Sequence, residues 1–202
     1  MAKITTIGSG VWVHERVSFG SSVKVGHASC IGYGEDDAKT VIGNGVSIGA
    51  FCLISLGVTI HDDVELDHYC RVSAGSIIGR NTKLLYGVQI FDDVRIGENC
   101  IVGGDVADRT VLEDEVTFLG EIVHSHRNAN LGWDTTLEPS PVIRRGSFVG
   151  VNALIIGGVI IGPQSYIGAG EIVRTDIPPR TVLYKEELSS LDDWRGIIKV
   201  RG

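Results

Sequence analysis

One stretch of the chain, residues 124–140, concentrates side chains that could do chemistry. It reads HSHRNANLGWDTTLEPS and begins with two histidines at His124 and His126. An imidazole titrates near neutral pH, so it is well suited to take a proton from a reacting group. Either histidine is therefore a candidate general base.

The same stretch carries side chains that could bind a substrate. Arg127 could pair with a phosphate, and Trp133 could stack on a ring or pack beneath its own loop. A carboxylate could orient the imidazole or hold an acceptor ammonium group. The candidate carboxylates are Asp134 and Glu138 within the stretch and Glu121 just before it.

The elements that must position this stretch repeat every six residues. Aliphatic residues recur at every sixth position from Ile42 to Val102, and the period returns from Ile143 to Val173. The next residue is often glycine, and the fourth residue after the aliphatic one is small or branched. Side chains two apart along a strand point the same way, so the small residue and the next aliphatic residue both point inward. Three hexads then predict one triangular coil, and successive coils stack as parallel strands.

This parallel β-helix makes specific predictions about packing. Inward residues 18 positions apart should rest on one another, and Cys52 and Cys70 should stack in the core as reduced thiols. Glycine is expected at the corners because it tolerates unusual backbone angles. A run of ordinary hairpins would not keep a strict period of six over eleven positions. The clearest predicted ladder is Ile42, Ile60, Ile78 and Ile96.

The repeat is interrupted three times. A short polar break at 34–38 predicts a bulged corner, and the phase slips around 105–109. The third break is the 17-residue stretch 124–140. Loops of that length within a compact domain are usually functional, so we expect the function to depend on this loop.

The interruptions leave a single domain. Residues 1–184 should form the β-helix, from which the loop 124–140 projects, and Pro178 and Pro179 should end the coils. The tail 185–202 places apolar residues at helical spacing. It predicts a short C-terminal helix that caps the last coil or packs on a neighbour.

Composition narrows the class of partner. The chain has 202 residues, a net charge of -7 and a pI near 5.3, which disfavours nucleic acid as a partner. It has no apolar run long enough to cross a membrane and no secretory signal pattern at its start. The four cysteines form no CxxC pair, which favours a reduced, cytoplasmic protein.

The C-terminal coils resemble a known family. The segment VGVNALIIGGVIIGPQSYIGAGEIVRTDIPP, residues 149–179, resembles the C-terminal signature of the hexapeptide-repeat acyltransferases. That group includes the galactoside, maltose, xenobiotic and sugar-amine acetyltransferases, and the similarity is strongest over residues 118–180. The resemblance implies an all-β, left-handed parallel β-helix. It also implies a homotrimer with active sites between subunits, and transfer of an acetyl group from acetyl-CoA to an amine or hydroxyl of a sugar or nucleotide-sugar.

The resemblance also implies which residues would act. The segment Val-His-Ser-His-Arg at 123–127 resembles the family's histidine-bearing segment, and its spacing to Pro141 favours His126 over His124 as the base. No metal is implied. Phe148 stands where many members have tryptophan, and threonine followed by lysine is here replaced by arginine followed by threonine. The implied coenzyme A contacts are Phe148, Val151, Ala169, Arg174 and Thr175.

Other interpretations stay open on the sequence. His124 continues the hexad phase of Leu112 and Phe118, which would turn it inward as a structural residue. His27 and His68 lie near predicted corners and could be two ligands of a γ-class carbonic anhydrase-like metalloenzyme, although a third ligand is missing. A non-catalytic trimeric scaffold or binding protein would keep the coils without the acceptor site.

Overall fold

A computed structural model describes residues 6–35, 37–125 and 138–194. Every regular element in these ranges is a β-strand, and most strands have two or three residues. None of the described residues forms a helix that could cross a membrane. In chain order the strands are β1 (Thr6–Ile7), β2 (Trp12–Val13), β3 (Val17–Phe19), β4 (Lys24–Val25), β5 (Cys30–Tyr33), β6 (Thr40–Ile42), β7 (Ser47–Ile48), β8 (Leu53–Ser55), β9 (Thr59–Ile60), β10 (Glu65–Leu66), β11 (Arg71–Val72), β12 (Ile77–Ile78), β13 (Lys83–Leu84), β14 (Gln89–Ile90), β15 (Arg95–Ile96), β16 (Ile101–Val102), β17 (Val111–Leu112), β18 (Thr117–Phe118), β19 (Glu121–Val123), β20 (Val142–Ile143), β21 (Phe148–Val149), β22 (Leu154–Ile156), β23 (Ile160–Ile161), β24 (Tyr166–Ile167), β25 (Ile172–Val173), β26 (Thr181–Tyr184) and β27 (Glu187–Ser190).

The strands form the three faces of a triangular solenoid of about nine turns. Apart from β27, each strand pairs in parallel with a strand of a neighbouring coil. Face A contains β1, β4, β7, β10, β13, β16, β18, β21, β24, β26 and β27. Face B contains β2, β5, β8, β11 and β14, followed by β19, β22 and β25. Face C contains β3, β6, β9, β12, β15, β17, β20 and β23.

The core is a set of aliphatic ladders, as the hexad period predicts. Ile42 is in register with Ile60, Ile60 with Ile78, and Ile78 with Ile96, and all four side chains are buried. Parallel in-register pairing at an 18-residue offset confirms the β-helix and excludes a run of hairpins. Each inward side chain thereby rests on an identical or similar one and excludes water from the prism.

Glycine occurs at the corners for a different reason from the one expected. Glycine directly after the inward residue has an ordinary φ at most corners. The left-handed residue lies two positions later and is often not glycine, as at Phe51 and Tyr69, with φ of 58° and 62°. A Cβ on Gly26 would lie 2.5 Å from the backbone nitrogen of Ala50 in the next coil. Close stacking of coils, rather than backbone angle, selects glycine at this position.

The phase slips where two corners are shortened. Inward residues are four positions apart, instead of six, from Val102 to Val106 and from Phe118 to Ile122. Ile122 is buried and pairs with Ile155 on face B. The hexad phase that would have turned His124 inward is therefore wrong, because Ile122 takes the inward position. Just before the break predicted at 34–38, the pairing of β5 with β8 is irregular, with a register shift between Ile31 and Tyr33.

The C-terminal expectation needs two corrections. Pro178 and Pro179 do not end the coils, since β26 follows them and pairs in parallel with β24. The described part of the tail is not helical: β27 pairs antiparallel with β26, which gives its apolar residues a sheet edge to join. Residues 195–202 lie outside the described residues. The expected boundary between the β-helix and its tail, at 184/185, falls at the hairpin turn, and this division of the single domain stays a prediction.

A buried carboxylate holds this hairpin turn. Lys185 and Glu186 both have positive φ, at 54° and 62°. The carboxylate of Glu171 accepts hydrogen bonds from both of their backbone N–H groups, at 2.5 Å and 3.1 Å. This pairing satisfies the turn in the absence of the glycine that such turns usually contain.

Candidate active site

The loop leaves the solenoid at the corner between faces B and C. In each coil the second residue after the inward residue of face B lies at this B–C corner. These residues stack in successive coils, and we refer to them as the B–C column. In four successive coils up to the loop, the B–C column contains Ala74, Asp92, Asp108 and His124, which follow Val72, Ile90, Val106 and Ile122.

His124 and Asp108 form an imidazole–carboxylate pair at the root of the loop. Nε2 of His124 lies 3.8 Å from Oδ2 of Asp108, and the two side chains are 18% and 40% exposed. The other carboxylate oxygen, Oδ1, accepts a hydrogen bond from the backbone N–H of Asp92 at 2.9 Å. Asp108 is thus fixed by the preceding coil while it faces the imidazole.

Asp92, the member of the B–C column in the coil before Asp108, adds a second carboxyl group. Burial raises the pKa of the Asp92 carboxyl, and the nearby Asp108 raises it further, while the guanidinium of Arg71 opposes the rise. That guanidinium lies over the ring of Phe91, 5.7 Å from its centroid. The B–C edge therefore combines the carboxylates of Asp92 and Asp108, the imidazole of His124 and the guanidinium of Arg71, which lies over an aromatic ring.

The two ends of the loop are joined at its stem. Ser125 Oγ donates to Oε2 of Glu138 at 3.1 Å, and the Arg109 guanidinium reaches the Glu138 carbonyl and the Ser140 hydroxyl at 3.4 Å. The structure thus places Glu138 beside the histidine segment, with one carboxylate oxygen engaged by Ser125. A substrate-binding role for Glu138 stays a prediction.

The other loop candidates cannot be placed. His126, Arg127, Trp133 and Asp134 lie outside the described residues. Glu121 is exposed on β19, on the outer surface of face B.

The candidate coenzyme A contacts are divided between two edges of face B. Val151 and Ala169 lie at the A–B corner in neighbouring coils, and Phe148 lies on face A, stacked on Tyr166 at a centroid distance of 5.0 Å. Arg174 and Thr175 follow β25 at the B–C corner. The strands between these edges are β22 and β25, so a donor that contacts both groups must cross this part of face B.

Two of these contacts share an edge with His124. By register, Thr175 follows His124 and Gly157 at the same corner position. Arg174 and Thr175 also line a cavity of about 450 Å³ together with Glu171, Glu186 and Leu188. Sequence reasoning missed the hairpin residues of this cavity because it assigned them to a helix. It also missed Asp108, whose signal was the 16-residue spacing from Asp92 to Asp108 and on to His124.

The histidines considered for a metal site have structural roles. Nδ1 of His27 accepts from the backbone N–H of Ser9 at 3.1 Å, and Nδ1 of His68 accepts from that of Ala50 at 2.8 Å. Asp62 does the same for Asn44 at 2.7 Å, so these side chains cap corner N–H groups of the preceding coil. Within the described ranges, no three His, Cys, Asp or Glu side chains gather in a way that could hold a metal ion.

Sequence comparison finds relatives that match this chain over only part of their own length. No model of a protein family matches the chain. The bifunctional protein GlmU of Legionella pneumophila strain Philadelphia 1 is 25% identical over 174 residues, which cover 80% of this chain and 37% of that protein. GlmU of Paracoccus denitrificans is 25% identical over 134 residues, which cover 60% and 30%. The chain thus spans less than two fifths of the length of these relatives.

Solved structures share the architecture. The UDP-N-acetylglucosamine acyltransferase from Campylobacter jejuni superposes with a TM-score of 0.58 and 18% identity, over 91% of this chain and 73% of that one. The UDP-N-acetylglucosamine acyltransferase of Francisella novicida gives a TM-score of 0.50 and 16% identity, over 88% and 66%. At such identities the likeness establishes the fold: this chain is a hexapeptide-repeat, left-handed parallel β-helix, the architecture of these acyltransferases.

Proposed function

We propose that the protein is an acyltransferase that moves an acetyl group from acetyl-CoA to an amine or hydroxyl of a sugar or nucleotide-sugar. The observation that carries the proposal is the arrangement of the B–C edge. The His124–Asp108 pair lies at the root of the loop, and Arg174 and Thr175 lie on the same edge in a later coil. The acyltransferase names of the proteins that share the fold support the same chemistry.

The mechanism requires few groups. A histidine takes the proton of the acceptor as its nitrogen or oxygen attacks the thioester carbonyl carbon. A backbone N–H stabilises the oxyanion that develops. Collapse of the tetrahedral intermediate breaks the carbon–sulfur bond and releases coenzyme A, whose sulfur takes up a proton. The proposal assigns the base to His126 in preference to His124.

The described geometry bears on the choice of base. At the B–C corner, His124 occupies the position that His27 and His68 occupy at the A–B corner, where they cap backbone N–H groups. The carboxylate near its Nε2 is that of Asp108 in the preceding coil, whereas the carboxylate near Nε2 of His68, at 3.9 Å, is that of Asp67, the residue before it in the chain. A base at His124 would therefore depend on Asp108, whereas a base at His126 need not.

A homotrimer with active sites between subunits is part of the proposal. Aromatic residues make up only 6% of the chain, yet six are exposed on the first half of face B and its edges. Exposed apolar patches of this kind usually mark interfaces, and we assign this one to a second copy of the chain. The four free cysteines fit a cytoplasmic location. The six aromatic residues are Trp12, Tyr33, Phe51, Tyr69, Tyr86 and Phe91.

The first experiment measures release of free coenzyme A thiol. Purified protein is given acetyl-CoA with a panel of amino sugars and nucleotide-sugars, and hydrolysis without acceptor is subtracted. We expect acceptor-dependent release, and loss of about 100-fold or more in kcat/KM for His126→Ala. A folded protein that neither binds acetyl-CoA nor releases thiol with any acceptor would contradict the proposal and favour a scaffold.

The second experiment measures the oligomer. Light scattering coupled to size exclusion should give three times the 21.6 kDa chain mass. Tyr86→Ser and Trp12→Ser together should shift it towards the monomer, while Lys24→Ser on face A should not. A monomeric native protein would contradict the intersubunit site. Stoichiometric metal in the purified protein would instead support the metalloenzyme alternative.

A further inference from the structure

Where the small inward residue of a corner is serine or threonine, its hydroxyl often bridges two coils. Ser76 Oγ donates to the carbonyl of Phe91 at 2.8 Å, and Thr82 Oγ1 donates to that of Gly97 at 2.9 Å. At the A–B corner two cysteines take this position. Cys52 Sγ donates to the carbonyl of Asp67 and Cys70 Sγ to that of Leu85, each at 3.2 Å. The two thiols therefore point into the solenoid in the same direction.

Cys52 and Cys70 belong to directly adjacent coils. They immediately precede β8 and β11, which pair in register as Leu53 with Arg71 and Ile54 with Val72. Neighbouring parallel strands lie roughly 4.8 Å apart. That separation falls within the Cα–Cα range of disulfides, about 4.4–6.8 Å. Both thiols are free and buried.

We propose that Cys52 and Cys70 are a redox modification site, at which a peroxide converts the two thiols into a disulfide that links successive coils. The Cys52 thiolate attacks hydrogen peroxide, which forms a sulfenic acid and releases hydroxide. The Cys70 sulfur then attacks the Cys52 sulfur and displaces the hydroxyl group, which leaves as water with the Cys70 proton. In sum, two thiols and one hydrogen peroxide give one disulfide and two waters, so the sulfurs are oxidised and the peroxide is reduced.

The surroundings make the pair distinct from the other two cysteines. The Cys70 side chain lowers the pKa of Cys52, whereas the Cys52 side chain and burial raise the pKa of Cys70. Burial raises the pKa of Cys100 to about 11, and that residue bonds to Thr82 and to the Glu113 carbonyl rather than to a thiol. Cys30 lies on the outer surface of β5.

The test uses the full chain before and after hydrogen peroxide. Remaining thiols are alkylated in denaturant, and peptides are mapped by mass spectrometry with and without dithiothreitol. We expect a Cys52–Cys70 cross-link that lacks two hydrogens, is reversed by dithiothreitol, and forms equally in Cys100→Ser. Oxidation should also raise Tm in the native protein and in Cys100→Ser but not in Cys52→Ser.

The serine variants are matched to the fold, since serine and threonine already occupy this position in other coils. Four alkylatable thiols after peroxide would overturn the proposal. So would sulfinic acid at Cys52 without a cross-link, or a link that forms only between chains through Cys30. The native protein alone decides the matter if a variant fails to fold.

Discussion

Asp108 faces the imidazole of His124 from the preceding coil, with its Oδ2 3.8 Å from Nε2, while its Oδ1 is held by the backbone N–H of Asp92. A carboxylate anchored in this way can orient the imidazole. The pair makes the base assignment testable from a residue of the solenoid itself.

Asp108→Asn should separate the two candidate bases. It keeps the shape of the side chain and removes its charge. If His124 is the base, we expect kcat to fall roughly tenfold or more with little change in KM, and His124→Ala to fall further. If His126 is the base, Asp108→Asn should leave kcat nearly unchanged. Glu65→Gln on face A is the matched control, because it removes a carboxylate far from this edge.

The ion pair between Glu113 and Arg144 should make stability depend on pH. Burial raises the pKa of the Glu113 carboxyl, but its hydrogen bonds to Arg144 and Arg145 outweigh burial, and the pKa is lowered. A lowered pKa in the folded state gives stability that is present above the unfolded pKa of about 4.3 and is lost as the pH falls through the folded value. Glu113→Gln should flatten the fall in Tm below that pH. An equally steep fall in the variant would contradict this assignment.

Gly26→Ala should destabilise the solenoid. The added Cβ would lie 2.5 Å from the nitrogen of Ala50, so the two coils must separate locally. Overpacking of this kind typically costs about 1–3 kcal/mol, measured by denaturant unfolding. Gly87→Asn is the control, because Gly87 has a φ of 73° that asparagine tolerates and its side-chain space is open. Equal losses in both variants would argue against coil stacking as the cause.

Glu171→Ala should loosen the C-terminal hairpin. The variant leaves the backbone N–H groups of Lys185 and Glu186 without their carboxylate acceptor. We expect a loss of about 1–3 kcal/mol and faster amide hydrogen exchange at these two residues. Glu171→Gln retains one acceptor oxygen and should show a smaller effect. Unchanged exchange in the alanine variant would mean that β26 and β27 hold the turn without help.

The sequence predicts the regular parts of the molecule and misses the irregular ones. The ladder from Ile42 to Ile96 follows from the period alone, because one residue type recurs wherever a side chain points inward. The short corner before Ile122 does not, since two missing residues shift the phase without any change in composition. The position of His124 next to Asp108 depends on that shift in phase. The hexad period alone therefore does not predict the contact.

The tail shows a different limit. The apolar spacing at 185–199 is compatible with a helix, and only the free edge of β26 turns its first part into a strand. Here the helical spacing of the apolar residues is outweighed by β26, which lies alongside and offers backbone hydrogen-bond partners. The corner glycines were found for the wrong reason, because the contact that selects them lies in the next coil.

The pairing of β17 with β20 has a consequence for how such a protein can change. Val111 pairs with Val142 across 31 positions, and its neighbours in the ladder pair across 18 or 16 positions with the same geometry. The pairing in this ladder depends on where a strand re-enters the sheet and not on the number of residues between paired strands. The length and composition of the intervening segment can therefore vary while the aliphatic ladders stay as they are.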